Sequence, residues 1–308
     1  MIAKITLGTR GSELARAQTL LVEKAIQNAH PNVTVETKII RTRGDNGEIV
    51  DPYAGRKGMF TAEIERALVA GEIDVAVHSA KDLPSQTTQG AQIAAVLARA
   101  PTDDVLISKH SGGLASVPNG ATIATGSVRR QRQLHWKRAD LKVVGLRGNV
   151  PTRLRKLAEN NWEGIVLARA GVERLSFSRT QTEIRFEGTR FFLEILPREI
   201  FVPAGGQGII ALQIRADDQS TKALLESVND HETLLCLQAE REFLSRLHGD
   251  CNFPVGVHAT ISHGKMKLRA QVFQGESPSP RQAEVEGGCE EGATLARELL
   301  QKIEHEHE

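Results

Sequence analysis

Lys81 and Asp82 stand side by side in the stretch Val77-His78-Ser79-Ala80-Lys81-Asp82-Leu83-Pro84. A fixed carboxylate can accept an N–H or stabilise a positive charge that develops during a reaction. Exclusion of water strengthens both effects. Ile73, Val75 and Val77 alternate after Gly71, which reads as a buried strand that follows a helix stop. Pro84 forbids much continuation. Ligands in open α/β sheets sit outside the carboxyl ends of strands, so the pair falls where chemistry usually happens. Taken alone, the segment reads equally well as a surface turn with a solvated ion pair.

Cations recur at three further strand-to-helix junctions. They are Thr9-Arg10-Gly11-Ser12, Thr125-Gly126-Ser127-Val128-Arg129-Arg130, and Leu146-Arg147-Gly148-Asn149-Val150-Pro151-Thr152-Arg153. A helix N-terminus carries roughly half a positive charge, so an arginine there costs about 0.3–1 kcal/mol. One such arginine is ordinarily a solvated side chain. Three at strand carboxyl ends predict an anion in the region, held by free N–H groups and guanidinium forks together. Arg174, after a fourth strand, joins the group. Asp82 is then an acid among cations.

The elements that must position these residues alternate through the first two-thirds of the chain. Strands are predicted at 5–7, 33–40, 73–77, 92–97, 105–107, 122–124, 141–144 and 165–167. Helices are predicted from Ser12 to about residue 30, over 61–70, from Ser127 and from Val150. This alternation predicts α/β units with mostly parallel pairing. From about residue 220 the texture changes to helices at 220–227 and 230–247, strands at 255–262 and 265–274, and a helix near 293–303. That order predicts a separate small α+β domain. Segment 43–58 reads as a mobile loop, and the tail over 304–308 as frayed.

The chain has 308 residues, enough for two or three cores, with a net charge of +1 and 4% aromatic residues. Near-neutral charge and scarce aromatics argue against a nucleic-acid surface. The N-terminus has no apolar run of signal-peptide length, and no segment approaches a membrane span. The three cysteines, Cys236, Cys251 and Cys289, are widely spaced with no C-x-x-C, which fits neither a disulfide framework nor a metal site. The expected compartment is cytoplasmic. There is no P-loop, and Gly205-Gly206-Gln207-Gly208 precedes a strand rather than a helix, so nucleotide binding is poorly supported. A small polycarboxylate or phosphorylated ligand fits better.

With these segments assembled, the chain closely resembles the porphobilinogen deaminases, also called hydroxymethylbilane synthases. The resemblance runs through Thr9-Arg-Gly-Ser12, Arg56-Lys-Gly-Met-Phe60, His78-Ser-Ala-Lys-Asp-Leu-Pro84, Gly126-Ser-Val-Arg-Arg-Gln131, Leu146-Arg-Gly-Asn-Val150, Pro203-Ala-Gly-Gly-Gln-Gly208 and Cys251-Asn-Phe-Pro-Val-Gly256. Each motif is modest alone, and their order and spacing together are specific. The resemblance implies two doubly wound α/β domains like those of type II periplasmic binding proteins, plus a small α+β C-terminal domain. The implied division is 1–98 with 200–218, 99–199, and 219–308. It implies a transferase of tetrapyrrole and heme biosynthesis that condenses four porphobilinogen molecules, releases four ammonia, and yields the linear hydroxymethylbilane. Elongation takes place on a dipyrromethane cofactor bound by a thioether.

By matching motif, Asp82 is the catalytic residue and Cys251 carries the cofactor. Lys81, Asp82, Thr125, Ser127, Arg129 and Arg130 would hold it. Arg10, Ser12, Arg147, Asn149, Arg153, Arg174 and Gln207 would bind substrate or the growing chain. No metal is implied, and the expected enzyme is a monomer that hands its product to a uroporphyrinogen-III synthase. Two departures stand out. Asp250 precedes the cofactor cysteine where the family commonly has glycine, which should raise the thiol pKa unless His248 offsets it. The stretch between Arg174 and Pro203 is longer than usual and predicts an extended hairpin or loop. A competing reading is an anion-binding module without catalysis, which needs the arginines but has no use for Asp82 or Cys251. Cys236 and the two tryptophans read as packing residues, and Cys289 as a loop thiol.

Overall fold

A computed structural model describes residues 2–42, 61–177, 180, 182–247 and 253–305. Cys251 with its neighbours 248–250, motif 56–60 and loop 43–58 lie outside the described residues, as does the end of the tail. The first unit runs β1 (Lys4–Thr9), α1 (Glu13–Ala29), β2 (Thr34–Ile39), α2 (Ala62–Val69), β3 (Val75–Ser79) and β4 (Ala91–Val96). The second runs β5 (Asp104–Ser108), α3 (Gly113–Ser116), β6 (Thr122–Ala124), α4 (Val128–Lys137), β7 (Lys142–Val144), α5 (Val150–Glu159), β8 (Gly164–Ala168), α6 (Arg169–Arg174), β9 (Glu183–Phe186) and β10 (Thr189–Ile195). The chain then returns through β11 (Ile210–Arg215) and α7 (Gln219–Leu225). It ends with α8 (His231–Arg246), β12 (Val255–Ser262), β13 (Lys265–Val272), β14 (Arg281–Gly288) and α9 (Gly292–His305).

Helix starts follow the side-chain chemistry expected of them. Ser12, Ser127, Asn149 and Asp230 each accept a backbone N–H of the first turn, meeting one of the unpaired donors there. Pairing differs from the sequence expectation. β1 is parallel to β2 and β3, and β6 is parallel to β7 and β8, but β11 lies antiparallel between β3 and β4. Likewise β5 is antiparallel to both β8 and β10. Both sheets are therefore mixed.

The reason is the double crossing of the chain between units: the strand that follows each crossing, β5 or β11, enters its sheet antiparallel. The orders β2-β1-β3-β11-β4 and β7-β6-β8-β5-β10-β9 share one pattern, with the crossing strand inserted after the third. The segment beyond Arg174 supplies the β9–β10 hairpin, whose Ile184, Phe186 and Phe191 enter the second core.

The third sheet, β12-β13-β14, is antiparallel, and α8 and α9 pack Phe243, Leu295 and Leu299 against it. β14 has no counterpart among the expected strands. The implied division places α7 after residue 218, whereas Leu224 and Leu225 of that helix lie in the first sheet's core beside Val22 and Ile26. Two crossings, 97–103 and 196–209, link the two α/β units as a two-stranded hinge. Gly206 has φ +74°, and a Cβ there would lie 2.9 Å from both Ala80 C and Lys81 N. Only glycine lets this segment lie so close to the Lys81 backbone.

Candidate active site

Asp82 is placed by a short 3-10 turn, Ala80–Asp82, directly after β3. The turn is anchored from beneath: Ala80 and Leu83 are buried with Val96, Ile209 and Ala211, and Ala80 N donates to Ile209 O at 3.0 Å. The buried anchor leaves Asp82 exposed and Lys81 half-buried at the sheet edge. Asp82 lines a recess of about 60 Å³ with Arg10, Ser12, Gln18, His78 and Ser79. Ser12 caps α1 by accepting Ala15 N at 3.3 Å, and Gln18 Nε2 lies 2.9 Å from Ser79 Oγ.

Under this recess lies a polar chain not anticipated from the sequence. Gln213 Nε2 donates to Glu65 at 2.9 Å, which leaves Gln213 Oε1 to accept from His78 Nε2 at 3.1 Å. All three are buried. Burial pulls the His78 imidazole down to about 4, against its bond to Gln213 and with help from Arg10. His78 is thus a neutral group with its proton on Nε2. A glutamine inside the apolar run Leu212-Gln213-Ile214 was the available signal, since a buried amide demands partners.

Lys81 shows which charges converge. Burial pulls its ammonium down to about 8; Asp82 and Asp104 oppose that, while Arg130 and Arg153 add to it. Groups from both α/β units therefore act on one ammonium. Arg153 Nε donates to Gly148 O at 2.7 Å. Arg147 and Asn149 are exposed at the head of α5, where Asn149 Oδ1 caps Thr152 N at 2.9 Å. Arg174 Nη2 donates to Gly208 O at 2.7 Å, and burial pushes it down to about 10. Gly171 of α6 lies close to Leu14 of α1, so the two units touch beside the recess.

Arg129 and Arg130 are placed differently from a surface anion site. Both are buried, and the anion they meet is internal. Asp104 accepts from Arg129 Nη1 at 2.8 Å, Arg130 Nη2 at 2.7 Å and Gln207 Nε2 at 2.9 Å. Burial alone would raise the Asp104 carboxyl, but the two guanidinium groups hold it well below the usual carboxylate range. Gln207 is also buried, donating to Thr102 O at 2.6 Å. Thr125 Oγ1 accepts Ser127 N at 3.3 Å, and Ser127 Oγ caps α4. The Nε atoms of Arg129 and Arg130 are buried without a hydrogen-bond partner among the described residues. Asp104 opens an otherwise apolar strand, and that misplaced charge was the sequence signal for an internal partner.

Comparison with known proteins bears on this geometry. The family model "Porphobilinogen deaminase, dipyromethane cofactor binding domain" matches residues 5–223, and "Porphobilinogen deaminase, C-terminal domain" matches residues 234–305. A porphobilinogen deaminase of Syntrophomonas wolfei subsp. wolfei is 42% identical over 310 residues, covering 97% of this chain and 95% of that one. One from Roseiflexus sp. is 42% identical over 271 residues, covering 87% and 85%. The chain belongs to the porphobilinogen deaminase family. Among solved structures, the methionine binding protein MetQ superposes with a TM-score of 0.44 at 13% identity, covering 75% of this chain and 92% of that chain. The chain is a transferase of tetrapyrrole biosynthesis, EC 2.5.1.61, that condenses porphobilinogen on a dipyrromethane cofactor.

The residues present fit such a polycarboxylate group. Two orphaned buried Nε–H donors, the Lys81 ammonium and the guanidinium groups of Arg147 and Arg153 offer donors for several carboxylates. Gly205 touches Leu244 of α8 and Val257 of β12, the elements that flank residues 248–252, while adjacent Gly206 lies on Ala80 and Lys81. Val257 N donates to Pro203 O at 2.9 Å. The described elements before and after the cysteine in the chain, α8 and β12, thus meet the second crossing where it lies on Lys81.

Proposed function

We propose that Asp82 is the catalytic carboxylate of the condensation and that the cleft between the two α/β units holds cofactor and substrate through their carboxylates. The observation that carries this is the setting of Asp82: one exposed acid sharing a recess with Arg10, next to an ammonium that also feels Arg130 and Arg153. The dipyrromethane, when bound through Cys251, supplies a nucleophilic pyrrole carbon. Asp82 accepts a pyrrole N–H and stabilises the positive charge that grows on porphobilinogen as ammonia departs, an effect strengthened by exclusion of water. It also aligns the reacting rings.

Lys81, Ser127 and Thr125 serve the cofactor side, together with Arg129 and Arg130 through their unpaired Nε atoms. Arg10, Ser12, Arg147, Asn149, Arg153 and Arg174 serve the incoming substrate and growing chain. Gln207 is buried on Asp104 and acts through Arg130 rather than by touching substrate. Family membership supports a cytoplasmic monomer that passes its linear product to a cyclising synthase of the uroporphyrinogen-III type. Residues 1–98 with 200–218, 99–199 and 219–308 form the three working domains, with α7 packed on the first.

Intact mass tests the attachment: freshly purified enzyme from porphobilinogen-producing cells should carry an adduct of two pyrrole units, absent in Cys251→Ala. Asp82→Asn should retain that adduct while turnover drops by about 10²-fold or more. Near-normal turnover in Asp82→Asn would remove the residue from the mechanism.

A further inference from the structure

A second cavity, of about 520 Å³, opens where the two hinge crossings meet α8 and β12. It shares no lining residue with the Asp82 recess. The hinge itself separates it from the cleft, because Gln207, bonded to Asp104, gives the same amide group to Thr102 O. It is open to solvent, and its place at a junction of units is one that small-molecule sites favour.

The lining carries an unexplained polar atom. Thr102 is 6% exposed, and its Oγ1 is buried with no hydrogen-bond partner among the described residues. A hydroxyl left in that state costs free energy that a ligand oxygen would recover. Beside it, Asp103 meets Arg198 Nε at 3.2 Å and Arg169 Nη1 at 3.4 Å, and Arg169 Nε also donates to Glu173 at 2.6 Å. Each guanidinium has five N–H donors, so this wall has donors to spare for a second carboxylate. The other side of the lining, the first turn of α8, brings Asp230 and Glu232. The third arginine, Arg99, is already satisfied by both oxygens of Glu240 at 2.7 and 3.1 Å. With the arginines' partners Glu173 and Glu240 counted beside Asp103, Asp230 and Glu232, acids outnumber the three arginines, so a simple anion is disfavoured and a ligand that carries an ammonium beside its carboxylate fits better. His258 also faces the cavity; burial pulls it down to about 3, with Arg99 and Arg198 adding, which leaves a neutral donor and acceptor.

We propose that this cavity binds a small amino-carboxylate. Its carboxylate is taken by Arg198, Arg169 and the Thr102 hydroxyl, and its ammonium by Glu232 and Asp230. The site is independent of the condensation chemistry at Asp82.

The probe is 5-aminolevulinic acid, which has the ammonium and the carboxylate but no pyrrole ring to enter the condensation. It is titrated into the cofactor-loaded enzyme while the imidazole resonances of His258 and His78 are followed, with His258→Gln and His78→Gln giving the assignments. The two histidines distinguish this cavity from the cationic cleft. We expect a saturable shift of His258 at roughly millimolar concentration, with His78 unmoved. Arg198→Ala and Glu232→Gln should each weaken it at least about fivefold, and the exposed Glu232 keeps the second variant's melting temperature at the wild-type value. Acetate alone and ethylamine alone should give no saturable shift. The proposal is overturned by an unmoved His258, by a shift of His78 in its place, by acetate acting as well as the amino acid, or by unchanged affinity in both variants.

Discussion

Lys81 is the residue whose charge the cleft controls most directly. Burial brings it from an ordinary 10.5 to about 8. The folded protein therefore sheds this proton as pH rises through about 8, while the unfolded chain keeps it to about 10.5, so this group's contribution to stability increases across that interval. On the proposed role of Lys81, carboxylate binding runs the other way, because it needs the ammonium. In cofactor-free enzyme, acquisition of the adduct, followed by intact mass against pH, should decline above about pH 8. Lys81→Arg should carry acquisition to higher pH, since a guanidinium stays charged. A flat wild-type profile up to about pH 10 would take Lys81 out of cofactor binding. The histidines give an acid counterpart. His78 and His258 are held near 4 and 3, so between about pH 6.5 and 4 the unfolded chain takes up both protons and the folded chain neither. Stability should fall there by about 1.4 kcal/mol per pH unit for each histidine. Urea unfolding at pH 7 and pH 5 measures it, and His258→Gln should flatten the slope by about half. The sequence carried part of this scale. Repeated arginines at helix starts did announce an anion, but at α4 the anion is Asp104, and spacing alone cannot tell a bound carboxylate from one supplied by a neighbouring strand.

The hinge is where an element, rather than a residue, decides the geometry. Gly206 allows the second crossing to lie on the Ala80–Lys81 backbone, and Glu240 Oε2 accepts Gly206 N at 2.7 Å. Gly206→Ala adds a Cβ at positive φ against backbone that cannot step aside. It should cost roughly 1–3 kcal/mol, and, because the clash is with Lys81 N, turnover should fall by more than stability alone explains. Thermal melts and steady-state rates on folded material check both, and an Ala variant with wild-type rate would show that the contact does not set the cleft. Local signals made most elements readable: caps at Ser12, Ser127, Asn149 and Asp230, and apolar alternation in the buried strands. β14 escaped because only Ala283 and Val285 of its eight residues are buried. The antiparallel entry of β5 and β11 escaped for a different reason. Strand direction follows from the chain crossing twice between units, a long-range fact that no local window contains.

At the scale of the molecule, one carboxylate joins the three units. Glu240 is fully buried on α8 and accepts from Arg99 of the first crossing, from Gly206 N of the second, and from Ala259 N of β12 at 2.7 Å. Arg99 in turn donates to Gln207 O and Ala259 O. Secondary ties reinforce this junction: Arg132 Nη2 donates to Gly275 O at 2.8 Å, and Gln133 Nε2 to Gln271 Oε1 at 2.6 Å. Removing one partner of a buried ion pair is costly because the other charge stays buried, and here two backbone N–H groups are orphaned as well. Glu240→Ala should therefore cost about 3–5 kcal/mol and lower the melting temperature by roughly 10 °C. Glu240→Gln keeps an acceptor oxygen for one of these donors, so its loss should be smaller. The small C-terminal unit has its own core, so calorimetry of Glu240→Ala should also resolve two transitions where the wild type gives one. On the proposed role of Cys251, tethering of this unit matters for catalysis, because α8 and β12 are the described elements on either side of that cysteine in the sequence. A Glu240→Ala variant that retains its adduct should accordingly elongate more slowly even well below its melting temperature. If Glu240→Ala melted within about 2 °C of wild type in a single transition, the three units would have to be joined mainly by their packed apolar faces, and the carboxylate would lose its place at the junction.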